Sequence, residues 1–163
     1  MLNDAPHVLI ALEQSGLAAA IRQSVWAYPA ANVGHIVALT VFAGSVAIMD
    51  ARLLGAFAAA PPADVVRPAR RMAKLGLLLM LITGSALFTA EASHVGTNPV
   101  FQAKVALIAL GLINAFCARR ALGGALDSMP AFEPLPPRIR LSALLSLGIW
   151  IFVAACGRLI AYV

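Results

Sequence analysis

The stretch PAANVGHIVALTVFAGSVAIMD, residues 29–50, is uncharged until its last residue and carries one histidine, His35, near its start. At about 1.5 Å per residue such a run, if helical, crosses the roughly 30 Å of hydrocarbon in a bilayer. A barrel strand would be shorter and would alternate, so length and continuity decide for a helix. The helical pattern continues toward Leu54. Three further segments have the same character: residues 72–92 (MAKLGLLLMLITGSALFTAEA), 99–118 (PVFQAKVALIALGLINAFCA) and 141–160 (LSALLSLGIWIFVAACGRLI). The expected fold is all-α, an integral membrane four-helix bundle over residues 29–163, preceded by an amphipathic segment, residues 1–28.

Composition agrees. The chain is 61% apolar and 12% charged, where a soluble domain is about half apolar and a quarter charged. A 163-residue chain cannot hide that much apolar surface in one core, so lipid must cover much of it. The net charge is +5, yet the basic residues cluster in or beside two connectors. With no spread basic face and no aromatic interleaving, a nucleic-acid partner is not expected. Cys117 and Cys156 fall near opposite membrane faces, too far apart for a disulfide, and belong to no metal-binding spacing. The start, MLNDAPHVLI, has no basic region and no small-residue cleavage site, so no removable signal peptide is expected.

The connectors AAAPPADVVRP and DSMPAFEPLPP are proline-rich breaks, and SHVGTNP ends on the proline that opens the third span. Arg52, Arg67, Arg70, Arg71 and Lys74 flank the first connector, and Arg119, Arg120, Arg138 and Arg140 the third. The second connector has no Lys or Arg, and the leading segment only Arg22. By the positive-inside rule, the first and third connectors are cytoplasmic and both termini periplasmic. In the leading segment Ile10, Leu17, Ile21 and Val25 share one helical stripe, with Trp26 and Tyr28 following. That pattern suits the membrane interface or the surface of a partner subunit.

With this topology five ionisable side chains gather toward the periplasmic face. They are His35, Glu91 and His94 at the end of the second span, Lys104 in the third and Arg158 in the fourth. Intramembrane ionisable groups are costly and mark functional sites by default. Lys104 and Arg158 are long enough to snorkel to headgroups, and Glu91 and His94 are close to water. His35 is too short to reach water easily. It is therefore a helix-to-helix hydrogen bond, an axial ligand to haem b iron with His94 opposite, or a polar contact and proton carrier for a quinone headgroup.

Met80, Gly84, Leu87, Glu91 and His94 form one stripe if the second helix runs that far, and Ala31, Gly34 and Ala38 surround His35 with small side chains. Small residues make room for a flat macrocycle. They also let helices approach, as Gly111 and Ala115 suggest in the third span. At the other face, Asp50 and Arg52 are expected to face the Arg67, Arg70 and Arg71 cluster, a group that ion pairing and contact with anionic lipid account for without catalysis.

The segments WAYPAANVGHIVALTVFAGSVAIMDARLLG, NPVFQAKVALIALGLINA and AACGRLIAY resemble a group of small four-span bacterial inner-membrane proteins of uncharacterised function. More distantly the chain is similar to copper-resistance D and bacterial cytochrome b561-like membrane domains. The resemblance implies a bacterial inner-membrane bundle with haem or metal handling on the periplasmic side, and carries over to His35 and Lys104. The chain has neither the repeated histidines of the cytochromes nor a Met/His cluster for copper.

The leading expectation is a membrane redox component. His35 and His94 hold haem b, or the same pocket receives a quinone, with Lys104 and Arg158 balancing negative charge and Glu91 exchanging protons. It would act beside a partner membrane subunit or as a homo-oligomer. The competing expectation is a non-catalytic anchor or assembly subunit. A small transporter is a third, weakened by the absence of broken-helix repeats.

Overall fold

The computed structural model describes residues 5–162. Residues 1–4 of the leading segment and residue 163 lie outside that description. Every regular element among the described residues is a helix, and four are long and apolar enough to cross a membrane. They are α3 (Ala27–Leu54), α4 (Pro62–Ala90), α6 (Pro99–Leu122) and α8 (Pro137–Leu159). Short helices α1 (His7–Glu13) and α2 (Gly16–Gln23) precede them, α5 (Ala92–Thr97) follows α4, and α7 (Ala125–Ser128) lies in the third connector.

Helix ends follow local chemistry. Three spanning helices open on a proline at their first position, where the missing N–H has no partner to lose. Asn98 starts α6 by accepting from the Val100 and Phe101 amides at 2.8 and 3.3 Å. Gly55, at φ 115°, ends α3 in the left-handed conformation that glycine adopts without strain. The α4 helix begins ten residues before the expected 72, because Pro62 opens it and Pro68 sits only two turns in. Its first turns, PADVVRPARR, are polar and extend the helix beyond the apolar run.

Two antiparallel pairs build the bundle. The α3 and α4 helices pack along their length, as do α6 and α8, and α3 against α8 joins the pairs. Close approach has identifiable causes. A Cβ on Gly76 would lie 2.8 Å from the Phe42 amide nitrogen, so α4 meets the α3 backbone there. A Cβ on Gly111 would lie 2.9 Å from the Trp150 ring, which fixes α6 on α8. Phe42 and Trp150 then meet edge to face, their centroids 4.5 Å apart. The α6 helix is the least buried of the four, and Val105, Leu110, Ile113 and Phe116 on it are exposed apolar surface for lipid.

The leading segment is not one helix. Ser15 accepts from the Ala18 amide at 3.2 Å and starts α2 anew, so Ile10 and Leu17 belong to different helices. Both helices fasten the break after α4. Arg22 donates to the Ala90 carbonyl at 2.7 Å, a cation on the C-terminus of α4. Glu13 accepts from the Ser93 amide at 2.7 Å and from its hydroxyl, an anion on the first turn of α5. Those two serine hydrogen bonds, with Arg22 and His94 nearby, hold the Glu13 carboxyl below its ordinary pKa. Val8, Leu17, Val25 and Trp26 stay exposed, an apolar surface beside the spanning helices.

Candidate functional site

His35 is half-buried where α3 meets α4. Gly34 and Gly84 make that meeting tight: a Cβ on Gly34 would lie 3.3 Å from Thr83 Cγ2, and one on Gly84 3.1 Å from His35 Cε1. The His35 ring therefore lies against Gly84, with Nδ1 2.9 Å from Thr83 Oγ1. Thr83 has one hydroxyl proton, and it points to the Leu79 carbonyl at 2.7 Å in its own helix. With its proton so used the oxygen accepts, which favours the tautomer with the hydrogen on His35 Nδ1. The Met80 carbonyl, a second acceptor beside the ring, favours the same assignment. A neutral imidazole protonated at Nδ1 keeps a lone pair on Nε2.

Lys104 completes the group. It is half-buried, five residues into α6, with its Nζ 3.4 Å from where a Gly157 Cβ would sit on α8. Among the described residues its ammonium has no hydrogen-bond or ion-pair partner, and it lies within electrostatic reach of His35.

Of the five expected residues, His35 and Lys104 are the half-buried ones, within electrostatic reach of each other. Glu91 ends α4, is exposed and accepts from the Tyr28 hydroxyl at 3.1 Å. His94 is exposed on α5, beyond the end of α4, within electrostatic reach of Glu13. The 80–84–87–91–94 stripe breaks at Glu91, whose φ of −137° and ψ of 38° leave the helix. Thr83, level with His35, is seven residues below Ala90, or about 10 Å along the axis. His94 thus lies on a separate short helix past the end of α4, off the α4 face that carries Thr83. The small residues around His35 serve helix contact instead: Thr83 fills the space beside Gly34, and Ala38 is buried. Arg158 is exposed and turns back on Tyr162, its guanidinium donating to the hydroxyl and lying 4.9 Å from the ring centroid. No group of three or more metal-ligating side chains occurs among the described residues.

The far end of the bundle holds what the sequence reading missed. A cavity of about 330 Å³ opens there, walled by Phe42, Val46 and Asp50 of α3, Arg70 and Lys74 of α4, Asn114 and Arg119 of α6, and Ser146 and Trp150 of α8. Asp50 is 2% exposed, Ser146 is hydrogen-bonded to its carboxylate, and Oδ2 has no partner. The expected pairing of Asp50 and Arg52 with the arginine cluster does not form. Arg52 is buried and donates through Nε and Nη2 to the Ala60 carbonyl, at 3.2 and 2.9 Å, locking the turn into α4. Arg67 pairs with Asp127 in the third connector. Proximity in sequence to three arginines concealed the isolation of Asp50.

Residues 13–163 match a family of unknown function, DUF6644, and the chain belongs to it. No curated protein and no solved structure matches the chain.

Proposed function

We propose that this member of the DUF6644 family is a bacterial inner-membrane redox component that receives a quinone headgroup at His35 and Lys104. The observation that carries the reading is the 2.9 Å contact of His35 Nδ1 with a Thr83 hydroxyl whose proton its own helix carbonyls can take, an arrangement that favours a lone pair on His35 Nε2. A quinol hydroxyl can give its proton to that lone pair, and the Lys104 ammonium offsets the negative charge developing on the quinol oxygen. Oxidation of the quinol to quinone releases two protons and two electrons. One proton goes to Nε2, the second to water at that membrane face, and both electrons pass to a redox centre on a partner subunit. The arginine-rich connectors support an orientation with the His35 end periplasmic.

The test is purification in mild detergent, extraction and quantification of bound quinone, and a reduced-minus-oxidised spectrum of the same sample. Quinone bound near one per chain, lost in His35→Ala, is the expected result. Soret and α/β bands that depend on His35 would replace the quinone with haem b. A folded, monodisperse protein carrying neither overturns the redox reading and leaves a membrane anchor.

A further inference from the structure

The cavity at the Asp50 end is independent of the His35 group and has a chemistry of its own. It is amphipathic: Phe42, Val46, Leu77, Leu112 and Trp150 line its deeper part, while Asp50, Ser142, Ser146, Asn114, Arg70 and Arg119 are its polar surface. The antiparallel register sets the depth. Phe42 meets Gly76, so Asp50, eight residues further along α3, lies about 12 Å nearer the helix end, level with the turn before Arg70. The apolar floor therefore faces the bundle middle and the polar part faces the connectors.

Two charge features within this cavity are unresolved by the protein itself. Asp50 Oδ2 is buried with no donor, which leaves the desolvation of a carboxylate oxygen uncompensated. Arg70, Lys74 and Arg119 carry no ion-pair partner among the described residues, although Arg70 and Arg119 are close enough to repel one another. Carboxylate and guanidinium line the same void without meeting across it. Opposite charges held apart across a cavity complement a ligand that carries both signs in a short span. Asn114 and Ser142 do not compete for it, because they satisfy each other: the Asn114 amide donates to the Ser142 carbonyl at 2.9 Å and the Ser142 hydroxyl to Asn114 Oδ1 at 2.8 Å.

We propose that this cavity binds the headgroup of a phospholipid bearing a primary ammonium, with the ammonium donating to Asp50 and the phosphate lying against Arg70 and Arg119. Basic pockets at the ends of membrane helices hold phosphate headgroups, and the buried carboxylate adds selection for an N–H donor. The apolar floor takes the first part of an acyl chain. A choline headgroup, with no N–H, cannot donate to the Asp50 carboxylate, and a glycerol headgroup brings no cation to it.

The full-length protein is purified, exchanged into defined lipid, and its retained lipids are counted by native mass spectrometry. Wild type is expected to retain phosphatidylethanolamine roughly tenfold over phosphatidylcholine or phosphatidylglycerol, the size of one charge-assisted hydrogen bond. The N-methyl and N,N-dimethyl headgroups, which each keep an N–H, should be retained nearly as well as ethanolamine, with the loss falling at the third methyl. Asp50→Asn should lower ethanolamine-lipid retention to the choline level, and Arg70→Gln should weaken all phospholipids together. Equal retention of the three headgroups by wild type, or preference for the anionic lipid alone, overturns the proposal. The headgroup series uses only the unmodified chain, so it decides even if Asp50→Asn does not fold. Quinone content is read separately, and its loss leaves this result untouched.

Discussion

Gly76 and Phe42 sit so close that no side chain larger than hydrogen fits at position 76: the added carbon would lie within 2.9 Å of both Phe42 Cα and Cβ. This contact sets how α3 lies against α4, and therefore whether His35 reaches Thr83 two turns away.

Gly76→Ala should accordingly destabilise the protein by about 1–3 kcal/mol, the usual cost of overpacking against backbone. Gly44→Ala, with nothing within 4 Å of the added carbon, should be neutral or slightly stabilising. Thermal unfolding of both variants in one detergent checks the pair. Equal midpoints would remove the α3–α4 contact as the organiser of the bundle.

The Thr83 hydroxyl organises the imidazole, so its loss should be felt as ligand binding more than as stability. Thr83→Val keeps the shape and removes the acceptor, and should release most of the bound quinone while costing about 1 kcal/mol of stability. Thr83→Ser should retain both. Quinone extraction and thermal melts on the same preparations separate the two effects.

Arg52 is the largest fully buried side chain among the described residues, and its guanidinium donates to the Ala60 carbonyl. Arg52→Met should cost about 1–3 kcal/mol, the cost of leaving the Ala60 carbonyl without its donor. Unfolding of that variant compared with Arg138→Met, an exposed site, measures it.

The Glu13–Ser93 fastening is pH-dependent, with a definite sign. Its carboxyl titrates lower folded than unfolded, so its contribution is fully present above the ordinary value of about 4.5 and disappears as pH falls through the lower folded value. Acidification should therefore lower the protection factor of the Ser93 amide, its exchange relative to the intrinsic rate at each pH, before the spanning helices respond. Glu13→Gln should show raised exchange at neutral pH. An amide equally protected at pH 3 and pH 7 would falsify this role.

The spans were legible because hydropathy over twenty residues is insensitive to packing detail. Leu54 as the end of α3 and Pro99 as the start of α6 follow from glycine and proline chemistry alone. The start of α4 was hidden because Pro61–Pro62 reads equally as a break or as a helix opening, and only the packing of Ala63 and Val66 in the core decides. The site was half legible. His35 and Lys104 stand out as polar groups in apolar runs, and they are the pair brought within reach. Periodic spacing continues through Glu91 to His94 although the helix does not, so the stripe alone does not tell where His94 sits. The orphan oxygen of Asp50 depends on which way four helices face, and no local pattern encodes that.

The central claim is a lone pair on His35 Nε2, and nitrogen-15 spectra of ring-labelled histidine in lipid bilayers read it directly. His35 should appear as a neutral ring protonated at Nδ1, with an unprotonated Nε2 resonance that shifts on addition of a short-chain quinol and vanishes in His35→Ala. A ring protonated at Nε2, or an Nε2 signal indifferent to saturating quinol, would contradict the account.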